Sequence, residues 1–257
     1  MLLYRKRGLP KSERRKAIRY RPMKIRQGNG ASVVVRARES LVHGEGKQLI
    51  ILMQITENVR DIMRSPEYVL NSLTEHSENL NYKFERLYRI FFNEEMYYVA
   101  YQRIYAKPGN MTAGADGKTI DQMSLNRIEQ LITSLKDESY QPQPSKRMYI
   151  PKKNGKMRPL GVPAFNDKLL QEVVRMILEA IYERQFEKTS HGFRPLRSCH
   201  TALSDIQKTF SGVKWFVEGD IKGFFDNINH DVLIGILKER IADERFIRLI
   251  RKFLNAG

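Results

Sequence analysis

The longest regular hydrophobic pattern in this 257-residue sequence lies between Asn166 and Tyr182. Apolar residues recur there every three or four positions, which is the spacing of one helix face. The sequence therefore predicts a long helix, with Asn166 as the N-cap that accepts a hydrogen bond from the first turn. The predicted stripe consists of Leu169, Leu170, Val173, Val174, Ile177, Leu178, Ile181 and Tyr182.

Shorter stretches with the same spacing predict further helices on both sides of this one. Aromatic residues dominate the stretch from Phe84 to Phe92, and we interpret them as part of a core. Four of the other predicted helices follow a capping residue. They run from Ser65, with Pro66 at the first position, to about Leu80; from Ser124 through the stripe Leu125, Ile128, Leu131, Ile132 and Leu135; from Val232 to Ile241 after Asn229; and from Phe246 to Leu254 after Asp243. Two more helices are predicted from Tyr97 to Tyr105 and from His200 to Phe210.

Two segments before the long helix have other patterns. Residues 107–119, KPGNMTAGADGKT, are rich in glycine and small polar residues and predict a loop, in which Lys107 and Lys118 could meet phosphates. Residues 146–163 predict a β-hairpin, because Asn-Gly supplies the positive φ angles of a tight turn. Lys152 and Arg158 lie on opposite arms and could converge on one polyphosphate, although a solvated basic hairpin gives the same pattern.

Residues 213–221, VKWFVEGDI, alternate in a way that predicts a strand. Its most apolar face contains Val213, Trp215 and Val217, and Asp220 lies on the other face. A carboxylate at a strand end suits a divalent cation that holds a triphosphate, and Phe225 could place a flat apolar wall against a sugar.

The chain is strongly basic, with 45 Lys and Arg residues against 29 acidic residues and a net charge of +16. Fourteen of the 45 basic residues but only three of the 29 acidic ones lie in residues 1–52. Such an excess favours polyanionic partners, nucleic acid above all, and it is equally compatible with a solvated arm.

Composition excludes several other classes of protein. Cys199 is the single cysteine, so no internal disulfide framework exists, and Cys199 next to His200 lacks zinc-ligand spacing. No apolar run reaches the roughly 20 residues that cross a bilayer. We therefore expect a cytoplasmic protein without membrane contact.

Segments from about Ser65 to Gly257, roughly three quarters of the chain, resemble the group II intron reverse transcriptases, the intron-encoded proteins that also act as maturases. In order, the segments are RSPEYVLNSL, YKFERLYR, GNMTAGADGKTID, SYQPQPSKRMYIPKKNGKMRPLGVP, NDKLLQEVVRMILEAIYE, SHGFRPLRSCHTAL and GVKWFVEGDIKGFFDNINHDVLI. The resemblance implies an α+β fold, the fingers and partial palm of a right-hand polymerase, helix-rich with a short antiparallel hairpin. It also implies RNA-directed DNA synthesis with two Mg²⁺ ions, and as partners group II intron RNA, an RNA template with a DNA primer, dNTPs and a possible homodimer.

The resemblance assigns roles to individual residues. Asp220 matches the first metal-binding aspartate, with the Ile221 carbonyl as a second ligand. Phe225 matches the steric gate that rejects a ribose 2′-hydroxyl, and Phe224 lies beside it at the nucleotide. Lys152 and Arg158 match residues that hold the incoming triphosphate, and residues 109–121 match the loop that closes over the template–primer duplex. Template or RNA contacts are expected at Lys107, Asn110, Lys118, Lys146, Arg147 and Arg194.

The sequence also departs from the family pattern, since it contains no Asp-Asp pair and hence no Tyr-Xaa-Asp-Asp turn. The Pro-Gln-Gly segment, the thumb and the maturase domain are absent too. We therefore expect the N-terminal part of a longer enzyme, inactive alone, with a basic, poorly ordered extension at 1–52, fingers at 53–212 and the first part of the palm at 213–257. Met53 is an alternative start. A non-catalytic module that binds intron RNA, or a remnant open reading frame, stays open as an alternative.

Overall fold

The computed structural model describes residues 20–26, 32–38, 65–152 and 155–257, in two compact units, Met1–Ile62 and Met63–Gly257. In the first unit, β1 (Tyr20–Arg26) pairs antiparallel with β2 (Ser32–Arg38), and Tyr20 lies opposite Arg38. This hairpin falls within the range interpreted as a basic extension. The remainder of that range and Met53 lie outside the described residues.

The second unit is mainly helical and contains one further antiparallel hairpin, which confirms the α+β class. No helix in the described ranges is long and apolar enough to cross a membrane. The elements are α1 (Pro66–Ser77), α2 (Glu94–Tyr105), α3 (Leu125–Lys136), β3 (Lys146–Pro151), β4 (Met157–Val162), α4 (Phe165–Tyr182), α5 (Cys199–Thr209), α6 (His230–Lys238) and α7 (Glu244–Ala256), with short 3₁₀ helices at Leu87–Phe92, Ile120–Gln122, Glu183–Gln185 and Phe225–Asn227.

Helix α4 forms the centre of the core, with α1 and α2 packed against it. Six residues of its predicted stripe are buried, while Leu178 and Tyr182 are partly buried at its margin. The buried six are Leu169, Leu170, Val173, Val174, Ile177 and Ile181. A helix that buries one whole stripe gains its stability from this packing rather than from intrinsic propensity.

Four predicted N-caps are confirmed. The side chains of Ser65, Ser124, Asn229 and Asp243 each accept a hydrogen bond from a backbone N–H in the first turn of the helix that follows. Each cap satisfies a donor that the helix itself leaves unpaired.

Three local predictions are wrong. Helix α4 begins after Ala164, so Asn166 lies inside its first turn and is not the cap. Leu125 opens α3 but is exposed, whereas the rest of the predicted stripe, from Ile128 onward, is buried. Phe84 is not helical, since it forms a parallel bridge with Ile241 and the chain then turns through Arg86 at φ +60°.

The predicted strand at residues 213–221 is also wrong, because these residues have no regular secondary structure and are exposed throughout. Alternation shows which residues would share a face, but a strand also needs a neighbour that pairs with its N–H and C=O groups. No strand pairs with these residues in the part of the chain that the structure describes.

Candidate functional site

The β3–β4 hairpin is confirmed, and its strand residues are almost all exposed on both faces. Ile150 pairs with Arg158, and the Lys152 N–H extends the ladder by donating to the Lys156 carbonyl at 2.7 Å. Because strand side chains alternate, Arg158, Lys152 and Lys146 all belong to one face. The structure thus brings together three cations that the sequence predicted for nucleotide or template binding.

The opposite face of the hairpin carries Arg147, which pairs with Gly161, and the exposed Tyr149. The two predicted template residues of β3, Lys146 and Arg147, therefore lie on different faces. The turn itself includes Gly155 at φ +77°, as the Asn-Gly motif requires.

Residues 107–119 form the predicted loop, which is tied to the start of α4. Lys168 Nζ donates to the Thr112 carbonyl at 2.7 Å. A Cβ on the buried Gly114 would lie 2.4 Å from the Pro163 carbonyl oxygen, so only glycine allows this close approach. Lys118 lies at the exposed tip, where its side chain can reach solvent.

A groove of about 350 Å³ separates this loop from α4. Lys107 and Asn110 line it from the loop, with Lys168, Glu172 and Arg175 on α4. Arg175 donates to Glu172 at 2.7 and 3.0 Å, and Lys107 Nζ lies 3.5 Å from the same carboxylate. Burial alone would raise the pKa of Glu172, but the Arg175 hydrogen bonds and the nearby cations hold it below its usual value. The groove lining carries three cations, Lys107, Lys168 and Arg175, against one carboxylate, Glu172, so positive charge is in excess there. Arg175 also pairs with Glu179, which lies outside the lining.

Lys168, Glu172 and Arg175 were not predicted from the sequence. Their spacing of four and three residues places them on one side of α4, next to its apolar stripe. This charged stripe could have indicated a binding surface on α4. The sequence of the helix gives no indication, however, that the 107–119 loop lies next to the stripe. Burial lowers the pKa of Lys168, although the nearby Asp116 carboxylate acts in the opposite direction.

Asp220 and Ile221 lie in the exposed segment that precedes the 3₁₀ helix Phe225–Asn227. Within the described ranges the Asp220 carboxylate makes no hydrogen bond or ion pair, and nothing of that kind joins it to Lys152 or Arg158. The Phe224 and Phe225 rings meet edge to face at 5.3 Å, and both remain accessible. Among the residues that the structure describes, no three His, Cys, Asp or Glu side chains are grouped so that they could hold a metal ion.

Arg194 differs from the other predicted contact residues because its side chain is only 11% exposed. It donates to the carboxylate and carbonyl of Glu183 and to the carbonyls of Glu187 and Ser190. The guanidinium therefore faces the protein, and template contact through it stays a prediction.

Residues 150–256, which include most of the β3–β4 hairpin and the Asp220 segment, match the family model described as "Reverse transcriptase (RNA-dependent DNA polymerase)". The chain is 53% identical over 197 residues to the group II intron-encoded protein LtrA of Lactococcus lactis subsp. cremoris, covering 76% of this chain and 33% of the relative. It is 48% identical over 191 residues to the uncharacterized 91 kDa protein in the cob intron of Schizosaccharomyces pombe, covering 73% and 24%. It is also 38% identical over 92 residues to nuclear intron maturase 1, mitochondrial, of Arabidopsis thaliana, covering 36% and 13%.

The chain belongs to the group II intron-encoded reverse transcriptases and maturases. It spans about a third of the length of the first curated relatives that it matches.

Proposed function

We propose that this chain supplies the nucleotide-binding and RNA-binding surfaces of an RNA-directed DNA polymerase. The complete protein would copy RNA into DNA and assist the splicing and mobility of its intron. The observation that carries the proposal is the common exposed face of Lys146, Lys152 and Arg158 on the β3–β4 hairpin. Lys152 and Arg158 lie within residues 150–256, the stretch that matches the reverse transcriptase model, and Lys146 lies just before it.

The hairpin face is suited to a triphosphate. Lys152 and Arg158 are diagonal neighbours across the two strands, so their side chains can reach adjacent phosphates. Neither side chain forms an ion pair with the described residues, so both charges are free for a ligand. An ammonium and a guanidinium on one hairpin fix the position of the phosphates as well as neutralising them.

Asp220 and the Ile221 carbonyl are hard oxygen donors of the kind that Mg²⁺ prefers. Two ions about 4 Å apart, as nucleotidyl transfer requires, need more carboxylates than one. The described part of the chain provides no cluster of three such side chains, so this donor set does not fit two ions by itself. We assign Asp220 the role of one metal ligand and Phe225, braced by the edge contact with Phe224, the role of the wall against the sugar.

RNA binding is the second part of the proposal. The cationic groove at Lys107, Asn110 and Lys168 is open to solvent and could hold phosphates of a template or of intron RNA, and Lys118 extends this surface to the loop tip. The lack of a complete metal-ligand cluster in the described ranges favours a non-catalytic RNA-binding role for this chain taken alone.

The nucleotide site can be tested by equilibrium dialysis of radiolabelled dATP against the purified 257-residue chain with magnesium. We expect Lys152→Ala and Arg158→Ala each to weaken binding about tenfold, the loss of one charged hydrogen bond. Arg147→Ala removes the same charge from the opposite face and should leave dATP affinity unchanged. Equal weakening by all three variants would mean that dATP senses only general positive charge, and the assigned face would be incorrect.

A further inference from the structure

The segment His191–Arg197, here called the 191–197 loop, presents two apolar side chains to solvent in an unfavourable backbone conformation. Phe193 and Leu196 both have φ of +58°. Their side chains are 103% and 100% exposed, so no packing within the described residues offsets the cost. Bulky residues rarely adopt the left-handed region, and where they do, the surrounding structure enforces it, often at a functional site.

Arg194 enforces this conformation from inside the loop. All three of its nitrogens donate to protein acceptors, namely the Glu183 carboxylate at 2.9 and 3.0 Å, the Glu183 carbonyl at 3.2 Å, and the carbonyls of Glu187 and Ser190 at 2.8 and 2.9 Å. Its guanidinium also lies over the Phe186 ring at 5.3 Å. Because these contacts use its donors, Arg194 has little capacity left for a phosphate.

His191 anchors the start of the loop to α5. Its Nδ1 lies 2.8 Å from Thr201 Oγ1, and its Nε2 lies 3.3 Å from Asp205 Oδ2. The loop is thus held at His191 and Arg194, and between and beyond these anchors Phe193 and Leu196 project outward. A loop fixed in this way is preorganised for a partner and loses little entropy on binding.

The surroundings of the loop indicate the chemistry of that partner. Residues 186–200 contain three Lys or Arg residues and one acidic residue. The Lys188 ammonium makes no hydrogen bond or ion pair within the described ranges, and Arg197 uses only a weak bond to the Lys188 carbonyl at 3.3 Å. Apolar side chains next to free cations match single-stranded nucleic acid, whose bases stack on apolar groups while its phosphates meet the charges.

We infer that Phe193 and Leu196 pack against unpaired bases of a single-stranded RNA, and that Arg194 is a positioning residue that presents them. This inference rests on the proposed function, because it assumes that the chain binds RNA. It differs from the sequence-based expectation, in which Arg194 itself contacts the template. Lys188 and Arg197 provide the phosphate contacts on either side of the two apolar side chains.

The test measures binding of a fluorescein-labelled single-stranded RNA of mixed sequence to the full 257-residue chain across a salt series. Phe193→Ala should weaken binding about tenfold, as expected for one lost base stack, with the same slope of log affinity against log salt. Phe193→Trp, which keeps an aromatic ring at this position, should bind the RNA as tightly as the natural chain does. Arg194→Met should also weaken binding without changing the slope, because it removes no phosphate contact. The matched control is Trp215→Ala, which removes an equally accessible aromatic ring outside the loop and should change nothing.

Four outcomes would overturn the inference. Unchanged affinity in both Phe193→Ala and Leu196→Ala would show that the loop does not contact RNA. Equal weakening by Trp215→Ala would show that the loss of affinity is not specific to the loop. A slope reduced by about one unit in Arg194→Met would make Arg194 a phosphate contact. If the natural chain bound no RNA at all, the proposed RNA-binding function would fail as well, whereas RNA binding that is insensitive to Phe193 rejects only this inference. Both Phe193 substitutions lie at a fully exposed side chain, so the thermal unfolding midpoint should confirm that they fold.

Discussion

Asp167 shows how one buried carboxylate connects two parts of the core. It lies in the first turn of α4, is 3% exposed, and accepts hydrogen bonds from the Tyr140 hydroxyl and from the Gln143 N–H at 2.9 Å. These bonds hold the chain between α3 and β3 against α4, and so fix where the hairpin begins. Burial raises the pKa of Asp167 above its usual value, although both hydrogen bonds act in the opposite direction.

We predict that Asp167→Asn destabilises the protein by on the order of 1 kcal/mol at low pH, because an amide nitrogen cannot accept one of the two hydrogen bonds. The folded-state pKa is raised, so the stability that Asp167 contributes is complete below the unfolded-state pKa of about 3.9 and is lost as pH rises through the folded-state value. The advantage of the natural protein over the variant should therefore shrink as pH rises. Urea unfolding at several pH values measures this, and an advantage that grows with pH would contradict it.

At the scale of elements, the 107–119 loop and the start of α4 form one cationic surface because they approach closely at Gly114. A Cβ there would also lie 2.7 Å from the Ala164 Cα, and neither neighbour is a flexible side chain that could move away. The shape of the groove at Lys107 and Lys168 depends on this contact.

We predict that Gly114→Ala destabilises the protein by about 1–3 kcal/mol, the usual cost of forcing backbone to shift around an added methyl group. Gly235→Ala in α6 is the matched control, since nothing lies within 4 Å of its added Cβ. It should stabilise by about 0.5–1 kcal/mol, because alanine is the better helix former. Urea unfolding of both variants gives the comparison, and a Gly114→Ala variant as stable as the natural protein would contradict the close approach.

The sequence predicted the helices and the β3–β4 hairpin well because their signals are local. An apolar stripe such as that of α4, a cap such as Asp243 and an Asn-Gly turn each depend on residues close in the chain. The strand predicted at residues 213–221 was wrong because a strand depends on a partner that is distant in the chain. For the site, the hairpin cations were predicted, whereas the inward position of Arg194 and the exposed Phe193 and Leu196 depend on tertiary contacts that no local pattern reveals.

For the whole molecule, the charge favours binding of polyanions, whereas the assigned metal ligand alone does not provide for catalysis. The net charge of +16, the exposed hairpin cations and the groove at Lys107 all favour binding of polyanions. Catalysis needs a set of carboxylates around two cations, and of that set we assign only Asp220. Our central proposal is therefore that this 257-residue chain binds nucleotide and RNA and needs further metal ligands to join nucleotides.

Primer extension on poly(rA) annealed to oligo(dT), with dTTP, magnesium and the purified 257-residue chain, tests that claim most directly. We predict that the chain binds the template–primer, as a mobility shift in the same reaction would show, and that no extended product forms. Magnesium-dependent extension that is abolished by Asp220→Asn would contradict the account, since it would show that this chain completes the metal site with residues other than those assigned here.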